Sequence, residues 1–269
     1  MVGGLPCREM VVRLGCWATA MASTGGASDT VHLWGASLRV SPGTLASLDA
    51  VLSGDERQRA DRFRFARDRD RFVAGRGLLR TILGGCLGLR PADLRFAYGS
   101  FGKPELADAA GVSLRFNIAH AGDRALYAVA WGREVGVDLE PIRADLEIAE
   151  LAELVLTPDE RDLIDSLPPE RRTECFAALW TRKEALAKAT GLGLGLPFDR
   201  LDVGGVDDPA TWIVYGDRFP DGRRWSLRSL DVGAGFAAAL VVEGDGVGVS
   251  WRTWTVAADC RVRDGCDGV

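Results

Sequence analysis

The chain has 269 residues, of which 47% are hydrophobic and 26% charged, with a net charge of −5. That is the profile of a soluble globular protein with room for one large domain or two ordinary ones. The negative balance argues against nucleic-acid binding driven by overall charge, and no run of about 18 apolar residues offers a membrane span.

Six cysteines, at 7, 16, 86, 175, 260 and 266, form no CxxC pair, so neither a zinc site nor a disulfide framework follows. Scattered thiols fit a reducing, cytoplasmic setting. Residues 1–29 carry Arg8 and Arg13 before a short, broken apolar stretch and read as a disordered leader rather than a signal peptide.

Residues 31–40, VHLWGASLRV, predict a first strand. Ser41-Pro42 starts a helix with Leu45 and Leu48 at helical spacing. Residues 52–89 carry an apolar stripe of Phe65, Phe72, Leu79 and Leu83 with arginines between. Further strands are expected at 94–98, 114–118, 125–131 and 135–140, with a turn at 100–104 and another at 120–124 that holds His120. The rest alternates short strands (201–203, 211–215, 225–231, 236–243) with turns. Residues 245–269 read as a loose tail with a final strand at 249–256.

The second half echoes the first. Thr157-Pro158-Asp159-Glu160-Arg161 resembles Ser53-Gly54-Asp55-Glu56-Arg57, and each introduces a helical stretch with a large aromatic, Trp180 or Phe72. A cation follows a few positions on, Lys183 or Arg76, and each stretch ends at Gly-Leu. We read an internal duplication of about 100 residues, a usual domain size. The expected fold is α+β, with two similar lobes at 30–133 and 134–244 related by a pseudo-twofold. A ligand cleft between lobes is the natural site, and such a chain is complete as a monomer.

Only three of the 33 Lys and Arg residues are lysines: Lys103, Lys183 and Lys188. A compact ammonium is a different tool from a guanidinium, suited to a point-charge phosphate contact. Lys183 and Lys188 project about 140° apart on one helix. Asp138 and Glu140 share one face of a strand. They are either two solvent-facing acids or a pair that needs a cation such as Mg²⁺ between them. Glu184 makes a favourable helical pair with Lys188. The arginine-dense segment 57–80 is either a salt-bridged solvent face or part of a phosphate pocket.

Together these residues resemble the pseudodimeric, surfactin-synthetase-activating type of 4′-phosphopantetheinyl transferase. Gly136-Val137-Asp138-Leu139-Glu140 and Trp180-Thr181-Arg182-Lys183-Glu184-Ala185-Leu186-Ala187-Lys188 match that family's two signature motifs at its spacing. Phe101-Gly102-Lys103-Pro104, Phe116-Asn117-Ile118-Ala119-His120 and Gly193-Leu194-Gly195-Leu196-Pro197 match three more segments, in order.

The resemblance implies transfer of 4′-phosphopantetheine from coenzyme A to a serine of an apo acyl or peptidyl carrier protein, releasing 3′,5′-ADP. It places Mg²⁺ on Asp138, Glu140 and Glu184, with Glu184 also the base. Lys183 and Lys188 would contact the phosphates, and Lys103 and Pro104 would lie against the adenine. His120 would meet a phosphate. Arg59, Arg71 and Arg76 are candidates for the 3′-phosphate, the last two aligning better. The departure is Ala119 and Ala121, where the family carries serines on both sides of the histidine. The loss of two hydroxyls near a phosphate makes a non-catalytic coenzyme A or carrier-protein binding module the rival expectation.

Overall fold

The computed structural model describes residues 8–12, 29–99, 102–107, 113–143, 147–204, 212–213 and 223–256. The two lobes are built alike. In the first, strand β2 (Thr30–Ser37) leads through α1 (Pro42–Ala50) and α2 (Gly54–Ala60) into the 22-residue α3 (Ala66–Leu87). After the small ribbon β3 (Phe96–Tyr98) and β4 (Pro104–Leu106), the hairpin β5 (Leu114–Ala121) and β6 (Arg124–Trp131) returns so that β6 pairs antiparallel with β2.

In the second lobe, β7 (Val135–Pro141) leads through α4 (Ile148–Val155) and α5 (Pro158–Ser166) into the 22-residue α6 (Pro169–Thr190). The strands β9 (Trp225–Ser229) and β10 (Phe236–Glu243) return so that β10 pairs antiparallel with β7. The short β8 (Trp212–Ile213) extends the edge. Both long helices end on a left-handed glycine, Gly88 (φ 67°) and Gly191 (φ 72°), a conformation glycine adopts without steric cost.

Alternation along the strands makes four layers. Odd residues of β2 and β7 (Val31, Leu33, Val135, Val137, Leu139) meet Ala128 of β6 and Leu240 of β10 in an apolar seam between the two sheets. Even residues face the helices: Trp34 and Ala36 lie under α3, while Asp138 and Glu140 lie on the α6 side. The lobes are stitched by Asn117 on β5, whose buried Oδ1 accepts from the Val137 amide at 2.9 Å.

The N-terminus departs from expectation: Arg8–Val12, in the stretch read as a disordered leader, is strand β1. Gly248–Val256 is the expected final strand, β11, but it is paired into a sheet rather than part of a loose tail. β11 lies between β1 and β2, parallel to both, so the first lobe's sheet runs β1-β11-β2-β6-β5. Parallel neighbours this far apart in sequence are joined by no local turn signal. The remaining leader and tail residues, and Phe101 of the expected 100–104 turn, lie outside the described residues.

Candidate active site

A cleft opens between the second half of α6 and the β3–β4 ribbon, and continues along β5 to the first half of α3. One end is a cavity of about 630 Å³ lined by Lys103, Pro104, Asn117, Ile118, Glu184 and Lys188. The other end, about 620 Å³, is lined by Arg59, Arg71, Phe72, Arg76, His120 and Tyr127 among others. Gly102, Pro104 and Ile118 border both, so the two are one groove.

The α6 wall is set by Gly136. A Cβ there would come within 2.0 Å of the Ala185 carbonyl and 2.5 Å of the Ala189 amide, so only glycine lets the helix lie this close to β7. Lys188 consequently reaches Asp138, Nζ to Oδ1 at 2.5 Å. Asp138 is 3% exposed, and its Oδ2 is buried without a hydrogen-bond partner. Burial pushes its carboxyl above the ordinary range, against the pull of Lys188. Glu140 and Glu184 are pushed up as well, first by burial and then by the charge of Asp138. Trp180 donates a hydrogen bond that holds Glu140 back.

Among the described residues no three His, Cys, Asp or Glu side chains converge as a ready-made metal cluster. The donor set still suits a hard divalent cation: three carboxylates that discourage one another's ionisation, one with an orphan oxygen.

The α3 wall is cationic. Arg76 is buried among the rings of Phe72, Phe96 and Tyr98, at 5.9, 5.5 and 5.7 Å from their centroids, and its Nη1 has no partner. Arg71 is held by Asp123, Nη2 to Oδ1 at 2.6 Å, and Arg59 stacks on Phe72 at 5.3 Å. His120 opens into the groove. Loss of hydration and then the Lys188 ammonium lower its pKa.

Two expectations, for Lys183 and for His120, are corrected. Lys183 is not in the cleft: it is 0% exposed, paired with Glu160 at 2.6 Å, and donates to the Phe198 and Leu201 carbonyls. Once Lys188 faces the groove, the residue about 140° around α6 must face the lobe's interior.

Lys103 lines the groove, but its ammonium donates to the Lys188 carbonyl at 2.8 Å, capping the end of α6. It therefore ties the ribbon to the helix.

His120 lies not in a turn but in β5, which runs on to Ala121; the turn is Gly122-Asp123. Strand alternation then sends Ala119 and Ala121 into the seam between the sheets, away from the side chain of His120. Serines there would not face the groove, so the argument for impaired phosphate binding falls.

Sequence reasoning singled out neither Asn117 as an inter-lobe bolt nor Glu56 and Glu160, though both acids stand in the repeated segments. Their role shows only in what they touch.

Comparison with known proteins matches this architecture. A family model described as 4′-phosphopantetheinyl transferase, N-terminal, matches residues 39–131, and one described as 4′-phosphopantetheinyl transferase superfamily matches 134–241. The chain is 40% identical over 220 residues to the 4′-phosphopantetheinyl transferase HetI of a Nostoc species, covering 81% of this chain and 90% of that one. It is 31% identical over 168 residues to a 4′-phosphopantetheinyl transferase of Bacillus subtilis, covering 62% and 73%. With both halves matched and the cleft residues standing on the motif positions, the chain belongs to the 4′-phosphopantetheinyl transferase family.

Proposed function

We propose that the groove binds coenzyme A along its length and transfers the 4′-phosphopantetheine group to a serine of an apo carrier protein, releasing 3′,5′-ADP. The observation that carries this reading is the polarity of the groove. Arginines, His120 and aromatic rings line the α3 end, and Glu184 and Lys188 line the α6 end, with the buried Asp138 held against Lys188. A nucleotide with a 3′-phosphate matches the first, and a pyrophosphate that must be neutralised and attacked matches the second.

Arg71, Arg76 and Arg59 hold the 3′-phosphate end, with the rings around Arg76 beside the base. His120 and Lys188 hold the pyrophosphate. Asp138, Glu140 and Glu184 would hold Mg²⁺, which supplies charge neutralisation at the phosphoryl oxygens when bound. Glu184, whose carboxyl burial holds above its ordinary range, takes the proton of the incoming serine. Because one chain supplies both walls, a monomer suffices. No described helix is long and apolar enough to cross a membrane. A reducing, cytoplasmic setting remains our reading of the cysteines.

The test is direct. Incubating the protein with coenzyme A, Mg²⁺ and apo acyl and peptidyl carrier proteins should add the mass of one phosphopantetheine to at least one carrier. Coenzyme A binding with no mass gain on any carrier would replace this reading with the binding module.

A further inference from the structure

The two lobes share a buried device that the reaction does not explain. In each, a glutamate near the start of a short helix turns back on its own N-terminus. Glu56 accepts from the Ser53 amide at 3.0 Å and Glu160 from the Thr157 amide at 2.9 Å. The same carboxylate takes a cation from the long helix: Arg80 Nε at 2.6 Å in one lobe, Lys183 Nζ at 2.6 Å in the other. Each cation stands at the same place in its helix, eight residues before the left-handed glycine at Gly88 or Gly191.

Each cation also donates to two carbonyls three residues apart, at the start and just past the end of the 3-10 turn that follows. These are Pro91 and Leu94 for Arg80, both at 2.9 Å, and Phe198 and Leu201 for Lys183, both at 2.6 Å. All four charged side chains are at most 4% exposed.

A buried ion pair is weak evidence for stability, and fixing a register is its better attested use. Here each clamp ties short helix, long helix and 3-10 turn at one point. The free oxygen of each glutamate then does something different. Glu56 Oε1 makes no hydrogen bond and meets Arg76, the cleft cation whose Nη1 also has no partner, as a charge contact only, 3.4 Å from its Nε. Glu160 Oε1 instead accepts from the Val203 amide at 3.1 Å, closing the clamp inside its lobe. The cation held by Glu160 immediately precedes Glu184.

We infer that Glu56 and Glu160 are positioning residues, one for each wall of the cleft. Glu56 orients the Arg76 guanidinium, and Glu160, through Lys183, sets the rotation of α6 that aims Glu184 and Lys188. The inference rests on the proposed function for which ligand each wall meets. It separates two kinetic parameters. Arg76 meets the part of the substrate that does not react, so its misplacement weakens binding. Glu184 and Lys188 act at the bond being broken, so their misplacement slows turnover.

The experiment measures steady-state kinetics with coenzyme A varied, together with coenzyme A binding by calorimetry. Glu56→Gln should raise KM and Kd for coenzyme A about tenfold with kcat within about twofold. Glu160→Gln should lower kcat about tenfold with Kd within about twofold. Lys183→Met should match Glu160→Gln, and the double variant should be no worse than either alone.

Loss of kcat and affinity together in both variants, in proportion to the folded fraction, overturns the inference. So does a Lys183→Met variant that loses coenzyme A affinity while Glu160→Gln keeps it, since that puts Lys183 on the phosphates. If the glutamine variants do not fold, Glu56→Asp and Glu160→Asp keep the charge and decide the same way on the same two axes. Wild-type protein that binds coenzyme A but transfers nothing overturns the functional reading alone. The Kd of the Glu56 variants then still decides whether Glu56 orients Arg76.

Discussion

The first lobe and the second share a scaffold and differ in what is hung on it. Under α3, the helix-facing residues of β2 include Trp34 and Ala36, and the residue after the clamp cation is Thr81, which hydrogen-bonds within its own helix. Under α6, the matching strand presents Asp138 and Glu140, and the residue after the clamp cation is Glu184. The first lobe puts its charge on the outer turns of α3 instead, as Arg71 and Arg76. One wall of the groove therefore carries arginines and the other carboxylates. The repeat explains the groove's frame, and departures from the repeat explain its chemistry.

The comparison predicts which changes matter where. The largest effect on activity should come from the acid wall. Asp138→Ala removes the buried carboxylate that holds Lys188 and carries the orphan oxygen. Transfer should fall about a thousandfold. The melting temperature should fall little, because Lys188 is partly exposed and can turn to water. Near-normal turnover in this variant would mean that Asp138 takes no part in the reaction.

The next effect belongs to the first lobe alone. Thr253→Pro removes a backbone donor from β11 in the middle of its sheet, between β1 and β2, and a ladder partner left unpaired costs about 1–3 kcal/mol. Hydrogen exchange should quicken in β2 and β6 and stay slow in β7 and β10. Equal loosening of both lobes would show that the sheets unfold as one unit. Gly136→Ala is the second lobe's counterpart. The added methyl meets the backbone of α6, and overpacking of this kind costs about 1–3 kcal/mol. Because α6 carries Glu184 and Lys188, kcat should drop with stability; a stable but slow enzyme, or the reverse, would uncouple helix placement from catalysis.

How much of this was legible in the sequence follows the same division. The duplication, the long helices with their glycine stops and the motif residues of the cleft could all be read from local pattern. What a residue touches could not. The repeat suggested Arg76 as the partner of Lys183, whereas the clamp pairs Lys183 with Arg80, because only Arg80 reaches the carbonyls of its 3-10 turn. Helical geometry showed that Lys183 and Lys188 could not face one way, but not which of them faced inward. The alternation that buries Ala119 and Ala121 was available too. It was obscured by ending the strand three residues early, before the Gly122-Asp123 turn. β11 was expected as a strand, yet its place beside β2 depends on a pairing of more than about 200 residues' separation, which no local pattern encodes.

The smallest effect sharpens the comparison most, because its sign differs between the walls. His120 is harder to protonate in the fold than its ordinary value of 6.5. Below that pH the unfolded chain binds the extra proton first. The contribution of His120 to stability is therefore intact above about pH 6.5 and is lost as the pH falls below it. A phosphate arriving beside it reverses the shift, so coenzyme A binding should take up a fraction of a proton and strengthen as the pH drops toward 6. The carboxylates of the other wall are held above their ordinary range. A cation arriving there should release protons and bind more tightly as the pH rises. Calorimetry in buffers of different ionisation enthalpy separates the two: uptake with coenzyme A alone, release with Mg²⁺ alone. His120→Gln should abolish only the first. A proton balance on binding coenzyme A that His120→Gln leaves unchanged would place its phosphates away from His120 and break that part of the assignment of an anion wall to the first lobe.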